Sequence, residues 1–375
     1  MTIGIDVRPL AGASGRRGVG SYVRGLLRGL AGAVTGGDRV VLFGNGGEQG
    51  DAPEGFEKVV LSRPTRGITL WDQIAWPSLL ARRGVDVFHS PFYAIPRLRP
   101  RRCAVVQTIH DLTPLKFPGA VSPRHARLFR VNFLLARSAD RIIVPSRATH
   151  GDVVALLRVE ARRVAVVPEA ADVEADDLAE ADRRLPQVRR RLGLPEGRRY
   201  LLHAGGHDVV KNLPTLLEAF EKLVLEGRDL DLVVAGEHGA GTPALIARAA
   251  QRGVLARLRL PGWVPRADLL ALYRGAAAMI YPSLAEGFGL PILEAMACGA
   301  PVVASLAGSI PEVAGEACLL VPPADAAAFA SAAASILDDP EREAALRRGG
   351  QARAALFSWQ EAGRRTLSIY REAAA

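Results

Sequence analysis

The chain has 375 residues, of which 49% are apolar, 23% charged and 6% aromatic. That length suits two domains with large cores, and the apolar fraction excludes a disordered chain; the 38 glycines and 25 prolines follow no period, which excludes collagen-like and low-complexity architectures. The net charge of +9 is uneven, with 25 Lys and Arg against 13 Asp and Glu in residues 1–170 and 23 against 26 in the rest.

In chain order, short Val- and Ile-rich runs occupy residues 2–7, 40–43, 85–88, 104–109, 141–144, 200–204, 231–235, 277–281 and 301–304. The runs are continuous and not alternating, as expected for parallel strands covered on both faces. Helix-like segments at 20–30, 122–136, 213–225 and 326–337 separate them, with Asp325 as an N-cap. The pattern predicts an α/β chain of βαβ units, with ligand sites at the carboxyl ends of the strands. A boundary is expected over 168–198. That stretch holds Pro168, an acidic cluster (Asp172, Glu174, Asp176, Asp177), Pro186, a basic run Arg189-Arg190-Arg191, Pro195 and Gly197. The expected domains are residues 1–170 and 199–356, joined by a linker at 171–198 and followed by a terminal amphipathic helix within 357–375.

Three widely spaced cysteines, Cys103, Cys298 and Cys318, form neither a disulfide framework nor a zinc pattern and fit a reducing, cytoplasmic compartment. The first residues enter a strand-like run without a signal-peptide pattern, and no apolar window is long enough to span a membrane.

The segment with most chemistry is Tyr281-Pro-Ser-Leu-Ala-Glu-Gly-Phe-Gly-Leu-Pro-Ile-Leu-Glu-Ala-Met-Ala-Cys-Gly. A strand ends at Tyr281, a loop carries Gly287 and Gly289, and a short helix is expected over 290–298, with Pro291 first and Gly299 beyond its end. Its N-terminus opens at a strand's carboxyl end, where free N–H groups and the helix dipole favour phosphate. Glu286 and Glu294 frame the site; carboxylates repel phosphate but accept hydrogen bonds from sugar hydroxyls. Phosphate donors beside hydroxyl acceptors describe a sugar nucleotide. Lys211, one of four lysines in the chain, follows a strand and a glycine loop, where it can neutralise charge developing on a leaving group. His110 sits where a strand run stops, and His89 is a weaker candidate of the same kind.

Glu286-Gly-Phe-Gly-Leu-Pro-Ile-Leu-Glu294 resembles the Glu-x7-Glu signature of the retaining glycosyltransferases of family 4, which have the GT-B fold. Gly18-Val-Gly-Ser-Tyr22 is similar to that family's N-terminal glycine loop, His110-Asp-Leu-Thr-Pro to the segment with its active-site histidine, and Gly205-Gly-His-Asp-Val-Val-Lys-Asn-Leu to its diphosphate loop. Phe357-Ser-Trp resembles the start of its last helix, which crosses back to the first domain. The resemblance implies two Rossmann-like domains facing a central cleft, the first binding the acceptor and the second the nucleotide sugar. It also implies roles. Glu294 would hold the ribose hydroxyls. Glu286, Gly287 and the backbone of Phe288, Gly289 and Leu290 would hold the donor sugar. Gly206, Lys211 and Asn212 would meet the diphosphate, and Val264 would lie near the base. His110 would touch the transferred sugar, and Gly18 and Gly20 would let the backbone close on the phosphates.

Two positions depart from the family pattern. Val210 stands where many members carry Arg, and the turn after residues 164–167 reads Pro168-Glu-Ala-Ala-Asp in place of a Gly-containing sequence. No metal site and no cofactor are expected: Asp229-Leu-Asp231 precedes a strand, the wrong end of a parallel sheet for a ligand. Arg97, Arg99, Arg101 and Arg102, with Arg124, Arg127, Arg130 and Arg137 punctuating a helix that carries Leu128, Phe129, Phe133 and Leu134, suggest peripheral contact with an anionic membrane. The alternative for this basic part is a solvated surface, since 44 of the 48 basic residues are Arg. The pattern looks most like members that transfer mannose from GDP-mannose to a glycan, lipid-linked or small-molecule acceptor in cell-surface polysaccharide or glycolipid synthesis. UDP-glucose and UDP-N-acetylglucosamine remain open as donors. A sugar-nucleotide epimerase and a non-catalytic binder of anionic polymer are the other readings, and no aromatic-interleaved nucleic-acid platform is present.

Overall fold

The apolar runs become the strands of two parallel sheets. The computed structural model describes residues 1–11, 15, 18–46, 52–61, 70–92 and 95–375, with side chains of 70–72 excepted. The chain divides into two units, residues 1–170 with 358–375 and residues 171–357.

Among the described residues the first unit carries seven strands: β1 (Thr2–Asp6), β2 (Arg39–Gly44), β3 (Glu57–Val60), β4 (Val87–Ser90), β5 (Ala104–Thr108), β6 (Arg141–Val144) and β7 (Val164–Val166). They lie in the order β3-β2-β1-β4-β5-β6-β7, each neighbouring pair parallel. Strand β4 is shifted two residues from the apolar run at 85–88. Its last residues, His89 and Ser90, are polar yet fully buried, so apolarity alone ended the run too early. Helix α1 (Gly18–Ala33) buries Tyr22, Val23, Leu26, Leu27 and Leu30. Helix α2 (Pro123–Ala136) starts at the N-cap Ser122, whose hydroxyl accepts from the His125 amide.

The C-terminal helix Trp359–Ala374 completes this unit against α1. The two helices meet backbone to backbone. A Cβ at Gly29 would fall 1.9 Å from the Trp359 carbonyl oxygen, and one at Gly363 would fall 2.1 Å from the Gly29 carbonyl carbon. Tyr370 from this helix meets the buried His89, with its hydroxyl 2.6 Å from Nδ1, and the chain of hydrogen bonds continues through Thr108 to Tyr22. Burial pulls the His89 imidazole down to about 3, which keeps it neutral. His89 is therefore a tie within the core.

The second unit carries β8 (Arg199–Ala204), β9 (Leu230–Ala235), β10 (Leu258–Gly262), β11 (Ala278–Tyr281), β12 (Val302–Ser305) and β13 (Leu319–Val321). They form a parallel sheet in the order β10-β9-β8-β11-β12-β13. Much of the stretch expected as a linker is helix α3 (Ala175–Arg191). Glu174 and Asp177 form a capping box, Asp176 and Asp177 occupy the first turn and Arg189, Arg190 and Arg191 the last. The acidic-then-basic composition that suggested a boundary matches the helix dipole at both ends. Helix α4 (Leu213–Leu225) follows β8. Helix α5 (Arg266–Gly275) packs on α3, where buried Asp268 receives Arg184 and Arg191 at 3.3 and 2.6 Å. No helix among the described residues is long and apolar enough to cross a membrane.

Candidate active site

In the second unit the site is built at the carboxyl ends of β8 and β11. Helix α6 (Leu290–Ala297) starts one residue before Pro291, with Gly289 as N-cap at φ +99° and Gly299 beyond its end at φ +75°. The preceding loop is held by Ser309, whose hydroxyl donates to the carbonyls of Glu286 and Phe288 at 3.1 and 2.8 Å. Gly308 allows the close approach, since a Cβ there would meet the Glu286 carbonyl oxygen at 2.6 Å.

Lys211 and Glu286 come together. Lys211 Nζ donates to Glu286 Oε1 at 2.6 Å and to the Tyr281 hydroxyl at 3.0 Å, and that hydroxyl donates to the same Oε1 at 2.8 Å. Burial alone would lower the lysine pKa; the charges and hydrogen bonds of Glu286 and Tyr281 outweigh it and hold it well above its ordinary value. The group is a fixed cation. Beneath it lies His203, whose ring stacks on Tyr281 with centroids 5.4 Å apart. His203 Nδ1 faces the Ile280 carbonyl at 3.1 Å, while its buried Nε2 has no hydrogen-bond partner. Burial takes its pKa down to about 3. The imidazole is therefore neutral, with Nδ1 as donor and Nε2 as a lone-pair acceptor.

Glu294 is separate from this pair. Its carboxylate meets Arg266 at 3.7 Å and accepts from the Tyr273 hydroxyl at 3.4 Å. Burial raises its pKa, partly offset by Arg266 and Tyr273. Asn212 adopts the left-handed conformation at φ +53° and donates to the carbonyls of Pro282 and Pro323. That side chain clamps the loop. Gly206 lies in the loop beside Asp208, and Gly236 packs so closely on it that a Cβ would fall 1.8 Å from the Gly205 carbonyl oxygen. Val210 is buried and Val209 exposed. The Phe288 side chain belongs to the core, its ring edge-on to Phe357, so only its backbone is presented in the loop. Gly287 lies in that loop, and Leu290 and Val264 are partly buried against the same core.

In the first unit, His110 lies two residues past β5. Its Nδ1 is 3.2 Å from Glu169 Oε1 and its Nε2 3.0 Å from the Pro91 carbonyl oxygen. Gly18 and Gly20, placed by the family resemblance in a glycine loop, both lie in α1, which includes the helix expected from residue 20. A Cβ at Gly20 would clash with the backbone of Gly15 at 2.4 Å, whereas Gly18 faces open space.

Asp229 is paired with Arg198 and Arg257, and buried Asp231 lies 3.7 and 3.6 Å from Arg198 and Arg259. Asp229 accepts guanidinium hydrogen bonds, whereas the Asp231 oxygens have arginines nearby but no hydrogen-bond partner among the described residues; both lie at the amino end of β9. The residues that sequence reasoning missed are Tyr281, His203, Ser309 and Glu169. Tyr281 and His203 end strands read only for apolarity, and the other two act across long sequence separations.

Two Rossmann-like parallel sheets, the second with a lysine and a glutamate at the mouth of a short helix, are the architecture of a GT-B glycosyltransferase. Residues 186–353 match the family described as glycosyl transferases group 1, and residues 16–175 match glycosyltransferase family 4. The D-inositol 3-phosphate glycosyltransferase 1 of Catenulispora acidiphila is 33% identical over 306 residues, covering 77% of this chain and 72% of that protein. The O-antigen chain mannosyltransferase B of Escherichia coli is 32% identical over 291 residues, covering 76% and 74%. The Anabaena protein HepE, solved with UDP and glucose, superposes with a TM-score of 0.73 at 17% identity over 99% of this chain and 100% of that one. The chain belongs to glycosyltransferase family 4 and is a glycosyltransferase.

Proposed function

We propose that the protein is a retaining hexosyltransferase that moves mannose from GDP-mannose to a glycan, lipid-linked or small-molecule acceptor in cell-surface polysaccharide or glycolipid synthesis. The observation that carries this reading is the ammonium of Lys211, fixed beside Glu286 at the N-terminus of α6. In the proposed reaction the acceptor hydroxyl attacks the anomeric carbon from the face the diphosphate leaves. The old carbon–oxygen bond breaks, the new one forms, and a diphosphate oxygen takes the hydroxyl proton. Lys211 and the helix N–H groups stabilise the charge on the diphosphate, with Gly206 and the clamped Asn212 shaping the loop. Glu286, with Gly287 and the backbone of Phe288, Gly289 and Leu290, accepts the donor-sugar hydroxyls. Glu294 holds the ribose, Val264 borders the base, Gly18 and Gly20 approach the phosphates, and His110 contacts the transferred sugar. The reaction needs no metal or cofactor, because the cationic lysine and the helix dipole do the neutralising.

The mannosyltransferase among the relatives supports mannose, and HepE with UDP and glucose supports a UDP-sugar as the second reading. A panel of GDP, UDP and ADP with their sugars separates the two. The true donor at 100 times its dissociation constant raises unfolding free energy by about 2.7 kcal/mol. Lys211→Ala is expected to lower kcat by about 10² to 10³, and the product is expected to keep the donor's anomeric configuration. An inverted product contradicts the mechanism.

The protein is also proposed to work at an anionic membrane face. Phe129 and Phe133, expected on the membrane side, pack into the core, and what α2 exposes is Leu128, Val131 and Leu134 interleaved with Arg124, Arg127 and Arg130, a mixed basic and apolar surface that supports contact with anionic headgroups. Sedimentation with anionic vesicles at low salt tests this, and an unbound protein refutes it.

A further inference from the structure

The imidazole of His110 is enclosed by acceptors. A peptide carbonyl only accepts, so the 3.0 Å contact between Nε2 and the Pro91 oxygen places a hydrogen on Nε2. On the other side Nδ1 faces the carboxyl of Glu169 at 3.2 Å. A proton shared there goes to the stronger base, and an imidazole with an ordinary pKa near 6.5 is more basic than a carboxyl near 4.3. Glu169 is only 4% exposed, so little water competes for it. The Tyr22 ring meets the imidazole edge-on at 4.7 Å.

We propose that Glu169 is a positioning residue that fixes the ring of His110 and keeps it doubly protonated at neutral pH, so that His110 serves as a fixed cation and not as a proton acceptor. The charged and titratable groups around it agree. Burial alone would lower the His110 pKa. The hydrogen bond and charge of Glu169, with the Pro91 carbonyl and Asp111, outweigh burial, and the net direction is upward. His89, from β4, is held neutral by burial, and burial pushes the Tyr22 phenol up, so it too stays neutral. Neither brings a competing charge. The carboxylate comes from the Pro168-Glu-Ala-Ala-Asp segment, the position at which this chain departs from the Gly-containing turn of its family. A cation there attracts the oxygen atoms of a sugar and negative charge developing nearby, and it cannot deprotonate the acceptor. The effect on turnover rests on the reading of His110 as a donor-sugar contact; the charge state does not.

Nitrogen-15 NMR of the histidine side chains tests the proposal, with the His110 signal identified by its loss in His110→Gln. The expected result is the doubly protonated pattern in the wild type at neutral pH, with a midpoint that falls by about one pH unit or more in Glu169→Gln and is partly restored in Glu169→Asp. Turnover of Glu169→Gln should fall about tenfold, with the alkaline limb of its kcat profile moved to lower pH and a donor KM close to wild type. A neutral His110 in the wild type at neutral pH overturns the proposal, and this measurement decides even if Glu169→Gln does not fold. An unchanged midpoint in folded Glu169→Gln also overturns it. A shifted midpoint with unchanged turnover supports the charge assignment and instead removes His110 from the donor site.

Discussion

Glu294 shows how a single side chain in the site carries opposing demands. In the role proposed for it, holding the ribose hydroxyls, Glu294 would work best ionised, yet burial raises its pKa, and Arg266 and the Tyr273 hydroxyl only partly offset this. Folding therefore favours the protonated form. Its stabilising contribution is full below the ordinary value near 4.5 and is lost as pH rises through the raised folded value. Glu294→Gln has no proton to lose. The gap in unfolding free energy, variant minus wild type, is expected to widen as pH rises from about 4 to about 7, as read from urea titrations. A constant gap would mean that the carboxyl ionises as easily in the folded protein as in the unfolded one. The same variant should bind the donor more weakly, by about tenfold, for loss of a charged acceptor.

At the scale of elements, the Gly29 and Gly363 crossing makes the sharpest demand on composition. Any side chain at Gly29 meets the Trp359 carbonyl oxygen, a backbone atom that cannot rotate away. Gly29→Val is expected to cost about 3 kcal/mol, measured by chemical denaturation, with the loss confined to the first unit. This demand was not legible in the sequence, because it depends on a partner more than 300 residues away. The legible elements were those with strong local patterns. The helix at Leu213–Leu225 and the helix at Ala326–Leu337, whose N-cap Asp325 accepts from the Ala328 amide, fall where their periodicity placed them. Strands β3, β7, β10 and β13 were not among the apolar runs. Each lies at a sheet edge; charges such as Lys58 and Arg259 interrupt β3 and β10, while β7 and β13 are only three residues long. Of the site, the loop and helix from Glu286 to Glu294 could be read because local residues build them. The Lys211–Glu286–Tyr281 cluster and the Glu169–His110 pair could not, since each depends on how distant strands end side by side.

For the whole molecule, the important fact is that the polypeptide leaves the first unit at residue 170 and re-enters it at residue 358. A chain stopped after Phe357 would lack Trp359, which packs on Gly25, and Tyr370, whose hydroxyl meets His89. Limited proteolysis of such a chain is expected to cut the first unit well before the second. An equal rate in both units would show that the helix is dispensable. Synthesis runs from the amino end, and nascent domains usually fold in the order in which they emerge. Here the helix that completes the first unit is made after every residue of the second, so the later-made unit has all of its residues in hand while the earlier-made one still lacks a packing partner for Gly25 and Gly29.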